Sequence, residues 1–394
     1  MVALQLKNKP IPAASDAAGR RGRFVRQGVG SADAIAPLAS SSMRHPPERP
    51  VVLVGRGAAG YSKSISNKTV LITGGAGFIG SHLAGALLGY GGRVVCFDNL
   101  STGSLENIKE FADDKNFTFI KGDANAPGDL KKVFKKHRID YVFHYAACVG
   151  VLRTLENPIG VLKDIDGIKN VLELSRIHKV KKVIFSSSSE VYGEPVEIPE
   201  REEGHLNAKL PYATVKLVGE HYMNSYNEKY GLPTCSLRFF NVYGPKQESS
   251  AYGFVTGVFI RQVLSGEPIT VFGDGTQTRD FVFAGDNVAA SLSALSSDKA
   301  NGHAINIGTG RPVTILDLAE RIIALSGRKG KIKFLKPRMD ILHRFPAVEK
   351  MRAILAYTPR VSLDEGLKET IRWYENNVKR SLSRAIINTR QKTK

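Results

Sequence analysis

Tyr212 and Lys216 stand four residues apart in the run Pro211-Tyr212-Ala213-Thr214-Val215-Lys216, and on a helix that spacing turns a phenol and an ammonium toward the same face. An unperturbed tyrosine titrates near ~10 and is a poor base at neutral pH, but a neighbouring cation favours the phenolate. A phenol so placed can take the proton of an alcohol while hydride leaves the same carbon. Upstream, the apolar run Lys182-Val183-Ile184-Phe185 leads into Ser186-Ser187-Ser188-Ser189-Glu190-Val191-Tyr192-Gly193. Four hydroxyls and a carboxylate at the end of a strand pack poorly and suit a polar site. Ser188 would hydrogen-bond the reacting oxygen, and Glu190 is both a catalytic and a substrate-contacting candidate. By itself Tyr-x-x-x-Lys is common and usually marks a surface helix, so the elements around it must decide.

Hydride needs an acceptor, and Thr73-Gly74-Gly75-Ala76-Gly77-Phe78-Ile79-Gly80 provides the place for one. The stretch follows the β-branched run Thr69-Val70-Leu71-Ile72 and opens onto apolar residues at helical spacing through Leu88, which reads as strand, glycine turn, helix. Glycines let the backbone approach a pyrophosphate, and the helix start offers N–H groups and a positive dipole end. Gly74, Gly77 and Gly80 are three apart, while Gly75, Gly77 and Gly80 also spell G-x-G-x-x-G. A second strand, Arg93 to Phe97, ends at Asp98-Asn99, where a dinucleotide-binding βαβ unit places an acid for the adenine ribose. An acid there favours NAD over NADP, because it would repel a 2′-phosphate. A third strand, 117–123, ends in Asp123, a candidate for the adenine amino group or for the cap of the helix after Pro127. In the fourth, Tyr141 to Ala147, small residues such as Ala146 let a cofactor lie against the backbone, and His144 reads as a core histidine. Residues 157–178 read as one long amphipathic helix.

The 394 residues are 42% hydrophobic and 24% charged, an ordinary globular composition. No run of eighteen apolar residues implies a membrane span. Cys96, Cys148 and Cys235 lie in or beside apolar runs and lack metal-ligand spacing, which suits a reducing, cytoplasmic setting and no metal. The net charge is +19, but residues 1–66 carry ten Lys/Arg against three Asp/Glu, and residues 375–394 six against one. With much of the excess at the ends and no nucleic-acid module in view, a dianionic substrate is the simpler partner. Residues 1–66 are expected to be a disordered or targeting extension: Arg-rich like an organelle transit segment, yet interrupted by Asp16, Asp33 and Glu48.

Taken together, the motifs at 73–80, 98–100, 122–123, 144–147, 186–193 and 212–216 resemble the NAD-dependent epimerase/dehydratase family of extended short-chain dehydrogenases/reductases, which act on nucleotide sugars. So do Arg238-Phe239-Phe240-Asn241-Val242-Tyr243-Gly244-Pro245 and Gly273-Asp274-Gly275-Thr276-Gln277-Thr278-Arg279-Asp280-Phe281. The resemblance covers residues 68 to 375. It implies a Rossmann-like doubly wound parallel sheet over 67–244, a smaller C-terminal α/β substrate lobe over 245–375 with elements exchanged between the two, and a basic tail over 376–394. It implies a tightly held, recycled NAD, with Gly74, Gly77, Phe78, Ile79, Gly80, Asp98, Asn99, Asp123, Ala146, Tyr212 and Lys216 around it. Ser188, Tyr212 and Lys216 become the catalytic set.

Asn241 and Arg279 are expected at the substrate diphosphate, a fork-shaped guanidinium suiting phosphate oxygens. The alternative for Arg279 is an ion pair with Asp280 or Asp286. Arg338 falls near a family phosphate-binding arginine, although its spacing to Asp340 is one residue short. Helices near 157–178 and 211–230 resemble the family's dimer-forming bundle, so a homodimer is expected. The family oxidises C4 of the sugar and then diverges. Dehydratases carry Asp-Glu where this chain has Ser189-Glu190, which speaks against dehydration, and both decarboxylases and epimerases show Ser-Glu. The expectation is a UDP-glucose/UDP-galactose type 4-epimerase, with UDP-glucuronate decarboxylase or 4,6-dehydratase as alternatives. The non-enzymatic alternative is an NAD-binding regulator or RNA-associated protein.

Overall fold

The computed structural model describes residues 61, 64–149, 151–247, 254–337 and 341–392. Six strands follow in order: β1 (Thr69–Thr73), β2 (Arg93–Asp98), β3 (Phe117–Lys121), β4 (Tyr141–His144), β5 (Lys182–Ser188) and β6 (Thr234–Phe239). They lie side by side in the order β3-β2-β1-β4-β5-β6, every pair parallel. Their continuous apolar runs have the cause expected of a sheet covered on both faces. Val70, Ile72, Phe143, Ile184 and Leu237 pack on one side; Leu71, Val142, Val183 and Phe185 pack on the other. The period of two thus divides one sheet between two cores. This is the doubly wound Rossmann order.

The remaining strands are β7 (Asn241–Tyr243), β8 (Ile269–Phe272), β9 (Thr278–Phe283), β10 (His303–Ile307), β11 (Pro312–Thr314) and β12 (Ile332–Leu335). Of these, β10 returns to the large sheet and pairs in parallel with β6, making seven strands. The rest form small sheets, β11-β9-β7 and β12-β8, over a third core that includes Phe259, Ile260, Val271, Phe281, Leu318 and Leu367.

Two helical expectations need correction. Residues 157–178 are not one helix but two, Pro158–Leu162 and Asp164–Ile177, with Lys163 between them. Asn157 caps the first through Gly160 N–H at 2.9 Å, and Asp164 and Asp166 fill the first turn of the second, where the helix dipole favours acids. Apolar spacing alone does not register such a restart. The expected basic tail over 376–394 does not begin where a helix ends: one helix runs Leu363–Lys392, and after Gly366 the sequence holds neither glycine nor proline to end it.

Candidate active site

Sheet order reverses between β1 and β4, and a crevice opens there at the carboxyl ends of the strands. A cavity of about 450 Å³ occupies it. Its lining includes Gly74, Gly77, Phe78, Ile79 and Gly80 together with Ser188, Glu190, Tyr212, Lys216 and Asn241. Seven strands therefore bring phenol, hydroxyl, ammonium and glycine turn to a single chamber.

The glycine turn is built by close backbone approach. Gly74 has φ +72°, and a Cβ there would sit 2.7 Å from Ala146 N; a Cβ on Gly80 would collide with the Gly74 carbonyl oxygen. The following helix, Phe78–Gly89, starts at Gly77 with no side-chain cap and no acid in its first turn. Its first N–H groups are thereby left for an anion. Asp98, at the end of β2, is buried; its Oδ2 accepts Ala76 N–H at 3.0 Å and its Oδ1 accepts Leu100 N–H at 2.8 Å. Burial pushes this carboxyl above its usual range, and the two backbone donors pull it back. Each oxygen keeps a lone pair for a ribose hydroxyl. Asn99 lies beside it with Oδ1 on Ser101 N–H at 2.9 Å, and both residues line the cavity. Asp123 also lines it and accepts Asn125 N–H at 2.9 Å; it does not cap the helix Pro127–Lys136, whose N-cap is Ala126. Ala146 borders the chamber and donates its N–H to Thr73 Oγ1 at 3.3 Å. Glycines, uncapped helix start and acceptor acid fit a dinucleotide such as NAD.

Where β5 runs out, alternation sorts the serines. Ser186 holds Lys216, whose Nζ donates to Ser186 O at 2.5 Å and Ser186 Oγ at 3.2 Å. Ser187 donates instead to Glu220 Oε1, and the other oxygen of that carboxylate, Oε2, is salt-bridged to buried Arg238 at 2.7 Å. Ser188 Oγ accepts Glu190 N–H at 3.2 Å, turning the short 189–192 segment back over the crevice. Tyr212 stands in the first turn of the helix Pro211–Tyr230, entered through Pro211. Lys216 Nζ lies 5.5 Å from the Tyr212 ring centre and 4.9 Å from that of Phe185.

The expected lowering of the phenol by its cation is not what these surroundings do. Burial pushes Tyr212 up, with the Ser188 hydroxyl pulling back, and burial brings Lys216 down to about 8 against the pull of Asp164 and Glu220. His144 is a core residue, as its apolar setting suggests: Nδ1 meets Thr73 Oγ1 at 2.7 Å, the ring stacks on Phe185, and burial takes it down to about 3.

Asn241 lines the cavity and donates from Nδ2 to Asp280 O at 3.1 Å. Arg279 is half-buried on β9 and gives Nη1 to Thr278 O at 2.8 Å. Neither Asp280 nor Asp286 pairs with it: Asp280 accepts from Thr309 and Arg311, and Asp286 from Tyr357, Arg360 and Val361. Arg338 and residues 248–253 lie outside the described residues.

Sequence reasoning missed Arg344. This arginine is 2% exposed and reaches from the 341–347 segment to Glu190, Nη1 to Oε1 at 2.6 Å. It also donates to Gly193 O and lies 3.4 Å from Glu200 Oε1 through Nε. Nothing in local spacing signals a pairing across 154 positions. Lys246 was missed as well. It lines the cavity and ties the segment after β7 to Asn107 O at 2.8 Å and Glu110 at 2.6 Å.

Comparison with known proteins agrees with this architecture. A UDP-glucose 4-epimerase of Mycolicibacterium smegmatis is 34% identical over 309 residues, covering 78% of this chain and 98% of that protein. A UDP-N-acetyl-alpha-D-glucosaminuronate decarboxylase of Bacillus cytotoxicus is 36% identical over 320 residues, 78% of this chain and 98% of its own. The crystal structure of a Thermotoga maritima UDP-glucose 4-epimerase with UDP-glucose superposes with a TM-score of 0.75 at 35% identity, over 79% of this chain and 99% of that one. The family model described as "NAD dependent epimerase/dehydratase family" matches residues 70–308. The chain therefore belongs to the NAD-dependent epimerase/dehydratase family, and is an enzyme of it.

Proposed function

We propose that the chain is a nucleotide-sugar 4-epimerase of the UDP-glucose/UDP-galactose type, acting as a homodimer. The observation that carries this reading is that Ser188, Tyr212 and Lys216 share one chamber with the glycine turn. When bound, NAD supplies the hydride acceptor and donor. Tyr212 takes and returns the proton of the sugar 4-hydroxyl. Ser188 hydrogen-bonds that oxygen and keeps it aimed at the phenol. Lys216, fixed by Ser186, places positive charge under the Tyr212 ring. Asn241, on the same wall, is the candidate for the diphosphate.

Ser189 stands where a dehydratase of the family carries Asp, so the acid for eliminating water is missing. Glu190 on the chamber wall keeps decarboxylation of a uronic acid as the competing outcome, and a decarboxylase stands among the relatives. Incubation with UDP-glucose, UDP-galactose and UDP-glucuronate and chromatography of the products decides: interconversion of the first two is expected, whereas carbon dioxide and a UDP-pentose would reject the reading. Tyr212→Phe should lower kcat by about 10²- to 10⁴-fold while bound NAD and UDP-sugar affinity persist; unchanged turnover would remove Tyr212 from its role.

A further inference from the structure

Glu190 lines the chamber together with Ser188 and Tyr212, and its side chain keeps 34% of its surface open. Its partner is supplied from a distant part of the chain. The 341–347 segment is seated on the 193–200 segment by backbone bonds, Glu200 N–H to Phe345 O at 3.0 Å and Ala347 N–H to Glu200 O at 2.8 Å. From that seat Arg344 spans Glu190, the Gly193 carbonyl and Glu200 with one guanidinium. An arginine with 3% of its side chain exposed costs desolvation that only well-made pairs offset. Its planar fork gives those pairs direction as well as strength.

Resting on the epimerase reading above, we propose that Arg344 is a positioning residue for the reaction: by holding Glu190 Oε1 it presents the other carboxylate oxygen to a sugar hydroxyl, and so aligns the ring toward Tyr212. The pair is neutral as a unit, which suits an uncharged hexose better than a sugar that brings its own carboxylate to Glu190. The 341–347 segment thereby contributes to turnover without touching the substrate.

A double-mutant cycle on the NAD-loaded enzyme tests this. Arg344→Gln should lower kcat/KM for UDP-galactose by about tenfold or more, and the same change in a Glu190→Gln background should add less than about twofold, because the effect runs through Glu190. Arg344→Lys should recover part of the loss. Equal losses in both backgrounds would overturn the proposal and leave Arg344 a purely structural cation, a role that would also lower thermal stability in proportion to activity. Should Arg344→Gln fail to fold, the cycle is run with Arg344→Lys, which keeps the charge and loses the fork. If the enzyme instead releases carbon dioxide from UDP-glucuronate, the epimerase reading fails separately. The cycle run on that substrate would then still uphold coupling of Arg344 to Glu190 or refute it.

Discussion

Burial and charge pull Glu200 in opposite directions, and burial wins. Arg344 lies 3.4 Å from its Oε1, but neither oxygen accepts a hydrogen bond, and loss of solvent raises the carboxyl to about 8. Unfolded, it titrates near its ordinary value of 4.5. The folded state therefore binds the extra proton between 4.5 and 8, so Glu200's contribution to stability is whole below 4.5 and lost as pH rises through 8. Glu200→Gln is isosteric and lacks that dependence. Its stability relative to the parent chain should improve by on the order of 1 kcal/mol per pH unit across this window, as read from urea unfolding at a series of pH values. A constant difference between pH 5 and 8 would place the pKa near normal.

At the scale of the elements, the glycine turn is the least tolerant part. A methyl at Gly80 would strike the carbonyl of Gly74, and at Gly74 it would meet Ala146 backbone in a φ > 0 conformation. Backbone cannot yield as a side chain tip can. Gly80→Ala should lose about 2 kcal/mol or more and most of its bound NAD, measured by denaturation and by cofactor absorbance after purification. Retention of both would mean that the turn relaxes. This element was also the most legible, since strand, turn and helix follow one another directly between Thr69 and Gly89 and their signals are local. So were β4 and β5, whose apolar runs need no partner to be recognised. The break at Lys163 was hidden because its causes, Asn157 on Gly160 and a fresh acidic first turn, compete with an uninterrupted apolar stripe. The run of four hydroxyls did not reveal that strand alternation sends the Ser187 hydroxyl to Glu220. Arg344 could not be read at all: an ion pair closed by tertiary folding leaves no periodicity behind.

On the scale of the whole molecule, Leu155 and Ile159 are 53% and 69% exposed on consecutive short helices, beside the long helix that begins at Pro211. Isolated apolar residues need no explanation, but two on neighbouring helices in a chain proposed to dimerise make a test. Ile159→Glu should roughly halve the sedimenting mass with helix content unchanged; a parent chain that sediments as a monomer would dispose of the dimer.

The return of β10 to the edge of the large sheet bears on how the polypeptide is made. Until residue 307 has left the ribosome, Cys235 to Phe239 lack a neighbour on that side, and an open parallel edge invites pairing with other chains. A fragment ending at 244 should thus be poorly soluble where the uninterrupted product is not. Evolution or an engineer could not trade the two lobes as separate cassettes without carrying that strand along.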